Sequence, residues 1–161
     1  MTDVVGTVQT KEQLLGEIRY AQRLAQRTAR LYRRIQAVGT FLAVLGGSGA
    51  MAGISNNIPP WISIAGGVLL AIYGAMTLSI RPADKAVPNE MDVKKYADLF
   101  AKAQALSMEE IRPLLAEARR SDAPEIESLR DIAFNDVAEE LNRPDQQIKI
   151  NWYQGFLQAI A

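Results

Sequence analysis

Neither cysteine nor histidine occurs in this chain of 161 residues. Their absence removes disulfides, thiol nucleophiles, zinc sites built on Cys or His, and imidazole acid–base catalysis. Charge is missing too, but only locally: from Ile35 to Ile80 there is no Asp, Glu, Lys or Arg. No phosphate-binding loop, dinucleotide fingerprint, zinc-protease helix or nucleophile elbow occurs, and most glycines fall inside the charge-free stretch. Carboxylates are plentiful (Asp84, Asp92, Asp98, Glu109, Glu110, Asp136, Glu139 and Glu140), yet none sits in a metal or acid–base motif. They read as a charged helix surface, and neither an enzyme nor a cofactor is expected.

A mean hydropathy near zero looks like an ordinary soluble protein, but the apolar residues are concentrated. Residues 35–55 and 61–80 form two runs of about 20 residues, each long enough at about 1.5 Å per residue to cross a hydrocarbon core about 30 Å thick. The soluble alternative, a hairpin buried in a helix bundle, needs more enclosing apolar surface than so small a chain supplies. Asn56, Asn57, Ile58, Pro59 and Pro60 make the turn between the runs, and Trp61 falls where an interfacial anchor belongs. Lys and Arg cluster before the first run and after the second, while the turn has none. Both termini are therefore expected on the cytoplasmic side, with the first span an uncleaved anchor.

The expected fold is all-α. A basic amphipathic helix occupies 1–34, a two-span transmembrane hairpin 35–80, and a helical cytoplasmic region 81–161. Residues 1–34 carry seven Lys/Arg and three Asp/Glu, a net +4, whereas 81–161 carry eleven and fifteen, a net −4. The two parts could attract each other within one subunit or between subunits, or each could be a solvated surface.

Small residues recur at helix-packing spacing. Gly49 and Gly53 form a GxxxG pair, and Ser63, Gly67, Ala71, Ala75 and Ser79 repeat every four residues. In lipid such stripes let backbones approach closely, either inside one hairpin or between copies in a homo-oligomer. No charge lies within the spans, which argues against a pump or transporter. A pore lined by backbone and small hydroxyls, or a plain anchor, stays open.

Thr10 and Gln13 have capping-box spacing, starting a helix that no breaker separates from the first span, so one helix is expected from about 11 to 55. Leu14, Ile18, Ala21, Ala25, Thr28, Tyr32 and Ile35 form a heptad-like seam, and Arg19, Arg23, Arg27, Arg30 and Arg34 a basic face beside it. The seam could build an oligomerising stalk, with the arginines meeting lipid phosphates or an acidic partner, or the arginines could simply be solvated. Pro82 and Pro88 suggest a linker, followed by helices at about 91–106, 108–121, 124–141 and 146–160. Ser107 with Glu110, and Asp122 with Glu125, have the spacing of helix starts. The last segment, with Trp152, Tyr153, Phe156, Leu157 and Ile160, could cap the bundle or lie on the membrane surface.

The order of parts resembles a known family. Ala29 to Arg34 reads Ala-Arg-Leu-Tyr-Arg-Arg ahead of a span, Pro59-Pro60-Trp61 closes the turn, Lys94 to Leu99 opens an amphipathic helix, and Ile132 to Asp136 lies in a later one. Over roughly 11–141 this is similar to the SLATT family, two-span effector domains of bacterial nucleotide-signalling and anti-phage conflict systems. The resemblance implies an effector of the bacterial inner membrane, held inactive until a sensor or regulatory protein triggers it, then perturbing the bilayer as an oligomeric pore. No catalytic residue carries over, no nucleic-acid partner is implied, and residues after Asn142 fall outside the resemblance. The alternatives are a small membrane anchor or scaffold that recruits a cytoplasmic partner through 91–161, or a phage holin or superinfection-exclusion protein.

Overall fold

A computed structural model describes residues 10–52 and 59–161. Among these the chain is all-helical, with no strand and six α-helices. The first, α1 (Lys11–Ala52), is a single rod of 42 residues, about 63 Å long at 1.5 Å per residue. It starts at the expected capping box: the Thr10 N–H donates to Gln13 Oε1 (2.8 Å), and the Gln13 N–H to Thr10 Oγ1 (3.3 Å).

Two helices in tandem make the return leg. They are α2 (Pro60–Ile80) and α3 (Pro82–Ala103), of 21 and 22 residues. Together they match the length of α1 and run antiparallel to it. Gly49 meets Ile62 at one end of this pairing, and Lys11 Nζ donates to the Gln104 carbonyl (2.9 Å) at the other. The break between them is one residue. Arg81 takes the left-handed conformation (φ 49°, ψ 56°), its N–H donating to Thr77 O (3.2 Å), and Pro82 begins the next helix at a position where no N–H is needed.

The linker expected at Pro82 and Pro88 is therefore not a linker. Pro82 starts α3 and Pro88 lies inside it, in a helix held down by its packing on α1. The helix α4 (Met108–Arg120) begins at Ser107 as expected, and Pro113 does not end it. Glu110 accepts from the Ser107 N–H (2.8 Å) and hydroxyl (2.7 Å). These bonds, the backbone one first, hold its carboxyl below the usual range.

The next helix starts later than the sequence suggests. Asp122 is not a cap: its carboxylate accepts from Lys95 Nζ (2.7 Å) and the Tyr96 hydroxyl (2.6 Å), and Pro124 follows. A single 3-10 turn (Glu127–Leu129) leads into α5 (Arg130–Glu140). Residues 147–151 are not helical either. The Asn135 side-chain amide bonds both the N–H and the carbonyl of Ile148 (2.7 and 2.8 Å), engaging the backbone groups that a helix would need. Asn151 and Gln154 then cap α6 (Trp152–Ile160).

The first half of α1 is the axis of a helical bundle. Leu14 and Ile18 pack with Tyr96, Leu99 and Ala103 of α3 and with Ile111 and Leu115 of α4. Further along, Leu24 and Leu31 pack with Leu129, Ile132, Ala133, Leu157 and Ala161. The heptad-like seam is thus covered by the chain's own helices: Leu14, Ile18, Ala25, Thr28 and Tyr32 are all buried.

Among the described residues one helix, α2, is long and apolar enough to cross a membrane, and only 6% of its most apolar stretch is buried. It is not enclosed by the rest of the described chain. Gly53, Ile54 and Ser55, the end of the expected first span, lie outside the described residues, as do Asn56, Asn57 and Ile58.

Candidate functional site

The second half of α1 and all of α2 meet along glycine. A Cβ built on Gly66 would lie 2.5 Å from the Gly46 carbonyl oxygen, 2.6 Å from Ala50 N and 2.9 Å from Gly49 C. One built on Gly46 would lie 2.7 Å from the Gly66 carbonyl oxygen and 3.1 Å from Leu69 Cβ. Gly49 would approach Ile62 O (3.2 Å) and Gly66 Cα (3.3 Å), and Gly39 would strike Tyr73 and Met76. At Gly46, Gly49 and Gly66 backbone lies on backbone, and a larger side chain would force the helices apart. Gly49 was legible as a packing residue. Gly39 was not, although Gly39, Gly46 and Gly53 recur every seven residues, the period of one face of paired helices. Gly53 itself lies outside the described residues.

The other small-residue stripe is not in this seam. Gly67, Ala71, Ala75 and Ser79 are exposed, and a Cβ on Gly67 would meet nothing within 4 Å. Ser63, at the head of the stripe, is half-buried, and its hydroxyl is buried with no hydrogen-bond partner among the described residues. Around the hairpin the surface is apolar: Val38, Phe41, Val44, Met51, Ile64, Val68, Ile72 and Leu78 are all exposed. The hydroxyls of Thr40, Ser48 and Thr77 do not project from it. Each donates to the carbonyl four residues back, on Gln36, Val44 and Tyr73 (3.0, 2.8 and 2.9 Å). That is the local satisfaction an apolar surrounding demands.

At the base of the hairpin the arginines are occupied by the chain's own acidic part. Arg27 makes a two-pronged pair with Asp136 (2.8 Å on each prong), with side chains 17% and 18% exposed, and also donates to the Gln158 carbonyl (3.0 Å). Arg23 pairs with Glu140, Arg34 donates to the Ala159 carbonyl (2.8 Å), and the Arg19 guanidinium lies 3.9 Å above the Phe100 ring. Arg33 pairs with Glu90 of α3 (2.6 and 2.9 Å). That hydrogen bonding holds the Glu90 carboxyl below the usual range and raises the Arg33 guanidinium. Only Arg30 of the basic face is exposed with no partner among the described residues. It borders a polar groove of about 370 Å³ lined also by Gln26, Glu139 and Glu140.

A second network ties α3 to the segment after α4. Lys95 Nζ reaches Asp92 (2.8 Å), Asp122 (2.7 Å) and the Ala118 carbonyl (2.8 Å), and the Ala123 N–H donates to Asp92 (2.8 Å). Burial works against the Lys95 ammonium, but its bonds to Asp122 and Asp92 outweigh burial and raise its pKa. Burial, then the Asp122 carboxylate, pushes the Tyr96 hydroxyl well up. The groups are mutually satisfied and read as a structural clasp. Among the described residues no group of three or more Asp or Glu could hold a metal ion.

Comparison of the chain with protein-family models, with curated proteins and with solved structures finds no match.

Proposed function

We propose that this chain is a two-span membrane protein of the bacterial inner membrane whose hairpin assembles with copies of itself and then disrupts the bilayer. α1 from Ile35 onward supplies the first span and α2 the second. The bundle of α3–α6 on the first half of α1 is the cytoplasmic part that answers to a sensor protein, as the SLATT resemblance implies. The observation that carries the reading is a pair of adjacent glycines facing different ways. Gly66 is used up in the hairpin, while Gly67 heads outward with Ala71, Ala75 and Ser79 onto open space. In lipid, leucine is as well solvated by tails as by a neighbouring helix, so an outward row of small residues serves close backbone contact with another helix.

The test is Gly67→Leu, compared with Ile72→Ala outside the row. Gly67→Leu should still insert, lose cross-linked oligomers in native membranes, and no longer depolarise cells after induction. Ile72→Ala should behave as the parent. If Gly67→Leu assembles and depolarises like the parent, the row faces lipid and the anchor or scaffold reading takes over.

A further inference from the structure

Residues 124–161 form a lobe with bonds of its own. Asn135 holds both backbone groups of Ile148, and Gln154 Nε2 donates to Asp131 (2.8 Å), so α5 is tied to the segment before α6 and to α6 itself. Leu129, Ile132, Ala133, Leu157 and Ala161 make its apolar side, against which Leu24 and Leu31 of α1 pack. That cluster shares no residue with the one built by α1, α3 and α4. Arginines of α1 hold the lobe in place. Arg23 pairs with Glu140, Arg27 with Asp136 and the Gln158 carbonyl, and Arg34 with the Ala159 carbonyl. Among the described residues no hydrogen bond or ion pair joins 124–161 to α2, α3 or α4.

The tether of the lobe is anchored independently of its docking. Asp122 is bonded to Lys95 and Tyr96, and the Ala123 N–H to Asp92, which leaves the non-helical residues 124–126 as the joint. The lobe can leave α1 while α3 and α4 stay packed. The face it covers is not fully satisfied. Leu24, Thr28, Leu31 and Ile35 follow at four- and three-residue steps, and Thr28 is fully buried with a hydroxyl that has no partner among the described residues. An unpaired hydroxyl is costly under cover and is satisfied once water reaches it. Docking thus carries a penalty that release removes. The helix α1 runs unbroken from this face into the charge-free run, and Ile35 packs at the edge of the lobe's cluster.

We propose that residues 124–161 are an autoinhibitory lobe. Docked on α1, the lobe closes the seam from Leu24 to Ile35 to a neighbouring copy; released, it frees that seam for assembly. The proposal rests on the assembling, bilayer-disrupting reading above, and it makes displacement of the lobe the step that a sensor protein controls.

Arg23 and Glu140 meet across this contact with side chains 33% exposed, and the chain has no cysteine. The full-length Arg23→Cys/Glu140→Cys protein is bridged in dilute detergent with a short bis-maleimide whose spacer contains a disulfide. The single-chain product is then reconstituted in dye-loaded phosphatidylethanolamine–phosphatidylglycerol vesicles. Bridged protein should release dye at least about tenfold more slowly than the same protein after the spacer is reduced, because only undocked chains assemble. Asp136→Arg, which sets two guanidiniums against each other, should release dye at least about fivefold faster than the parent. Thr28→Val should be at least as stable as the parent yet release dye more slowly, a divergence that a residue serving only the fold would not give. Equal leakage before and after the spacer is cut overturns the inhibition and leaves the disruptive reading standing. Absence of leakage from the cleaved protein and from Asp136→Arg alike overturns both.

Discussion

Along its second half α1 meets α2 with glycine against glycine. Along its first half it meets α3, α4, α5 and α6 with leucine, isoleucine, tyrosine and paired charges. On the membrane reading proposed above, the same helix uses two kinds of contact because its halves suit two solvents. In water, burying Leu14, Ile18 and Tyr96 removes apolar surface at about 25 cal/mol per Å², so large side chains hold the bundle. In lipid that gain vanishes and close backbone contact is what remains. Gly46 over Gly66, with Val44 and Ile64 left facing outward, is how such a seam looks.

The sharpest way to break the comparison is to put one large side chain into the glycine seam. Gly66→Leu places its first carbon among backbone atoms of α1, and overpacking of that kind typically costs about 1–3 kcal/mol. A cysteine pair at Ala50 and Ile62, both half-buried at the seam, should cross-link in the parent and fail to in Gly66→Leu. The adjacent Gly67→Leu should leave this cross-link intact, since nothing lies within reach of it.

In the bundle half the largest effect is expected at Asp136. Asp136→Ala strands the mostly covered Arg27 guanidinium and should lower stability by about 1–3 kcal/mol, read by urea unfolding in detergent. Glu140→Ala, at a pair with both side chains 33% exposed, should cost less than about 1 kcal/mol. Depolarisation by either variant should fall no further than its loss of folded protein, and complete inactivity in a folded Asp136→Ala protein would revive an enzymatic reading. The Lys95 clasp gives a pH test. Its pKa is raised on folding, so its contribution is complete below the ordinary lysine value of about 10.4 and fades as pH climbs through the folded value. Thermal stability of the parent should therefore drop at strongly alkaline pH more than that of Lys95→Met. The smallest effect has the opposite sign. Thr28 is fully buried and its hydroxyl has no partner among the described residues. Thr28→Val should be neutral or stabilise by up to about 1 kcal/mol.

What the sequence made legible was local. The caps at Thr10 and Ser107 form as their spacing says, because a capping box involves four consecutive residues. The charge-free stretch was plain as composition. What it hid depends on phase and partner. Pro82 at the first position of a helix looks the same in sequence as Pro82 in a linker, and only the one-residue break at Arg81 tells them apart. Gly66 and Gly67 are neighbours, and which of them faces α1 is set by the packing of the two helices. Leu69, off the small-residue stripe, proves to lie against Gly46 in the seam. Asp122 could not start a helix because Lys95 and Tyr96, about 26 residues earlier in the chain, claim its carboxylate. The basic face, Arg30 apart, likewise found its partners in the chain's own C-terminal part.

The central claim is that α1 and α2 cross the bilayer as a hairpin with the bundle on the cytoplasmic side. Because the chain has no cysteine, single cysteines report on this directly. In intact cells, Asn57→Cys should react with a membrane-impermeant thiol reagent and Ser107→Cys should react only after permeabilisation. Labelling of Ser107→Cys in intact cells with Asn57→Cys protected would invert the orientation, and protection of both until permeabilisation would contradict the two-span account.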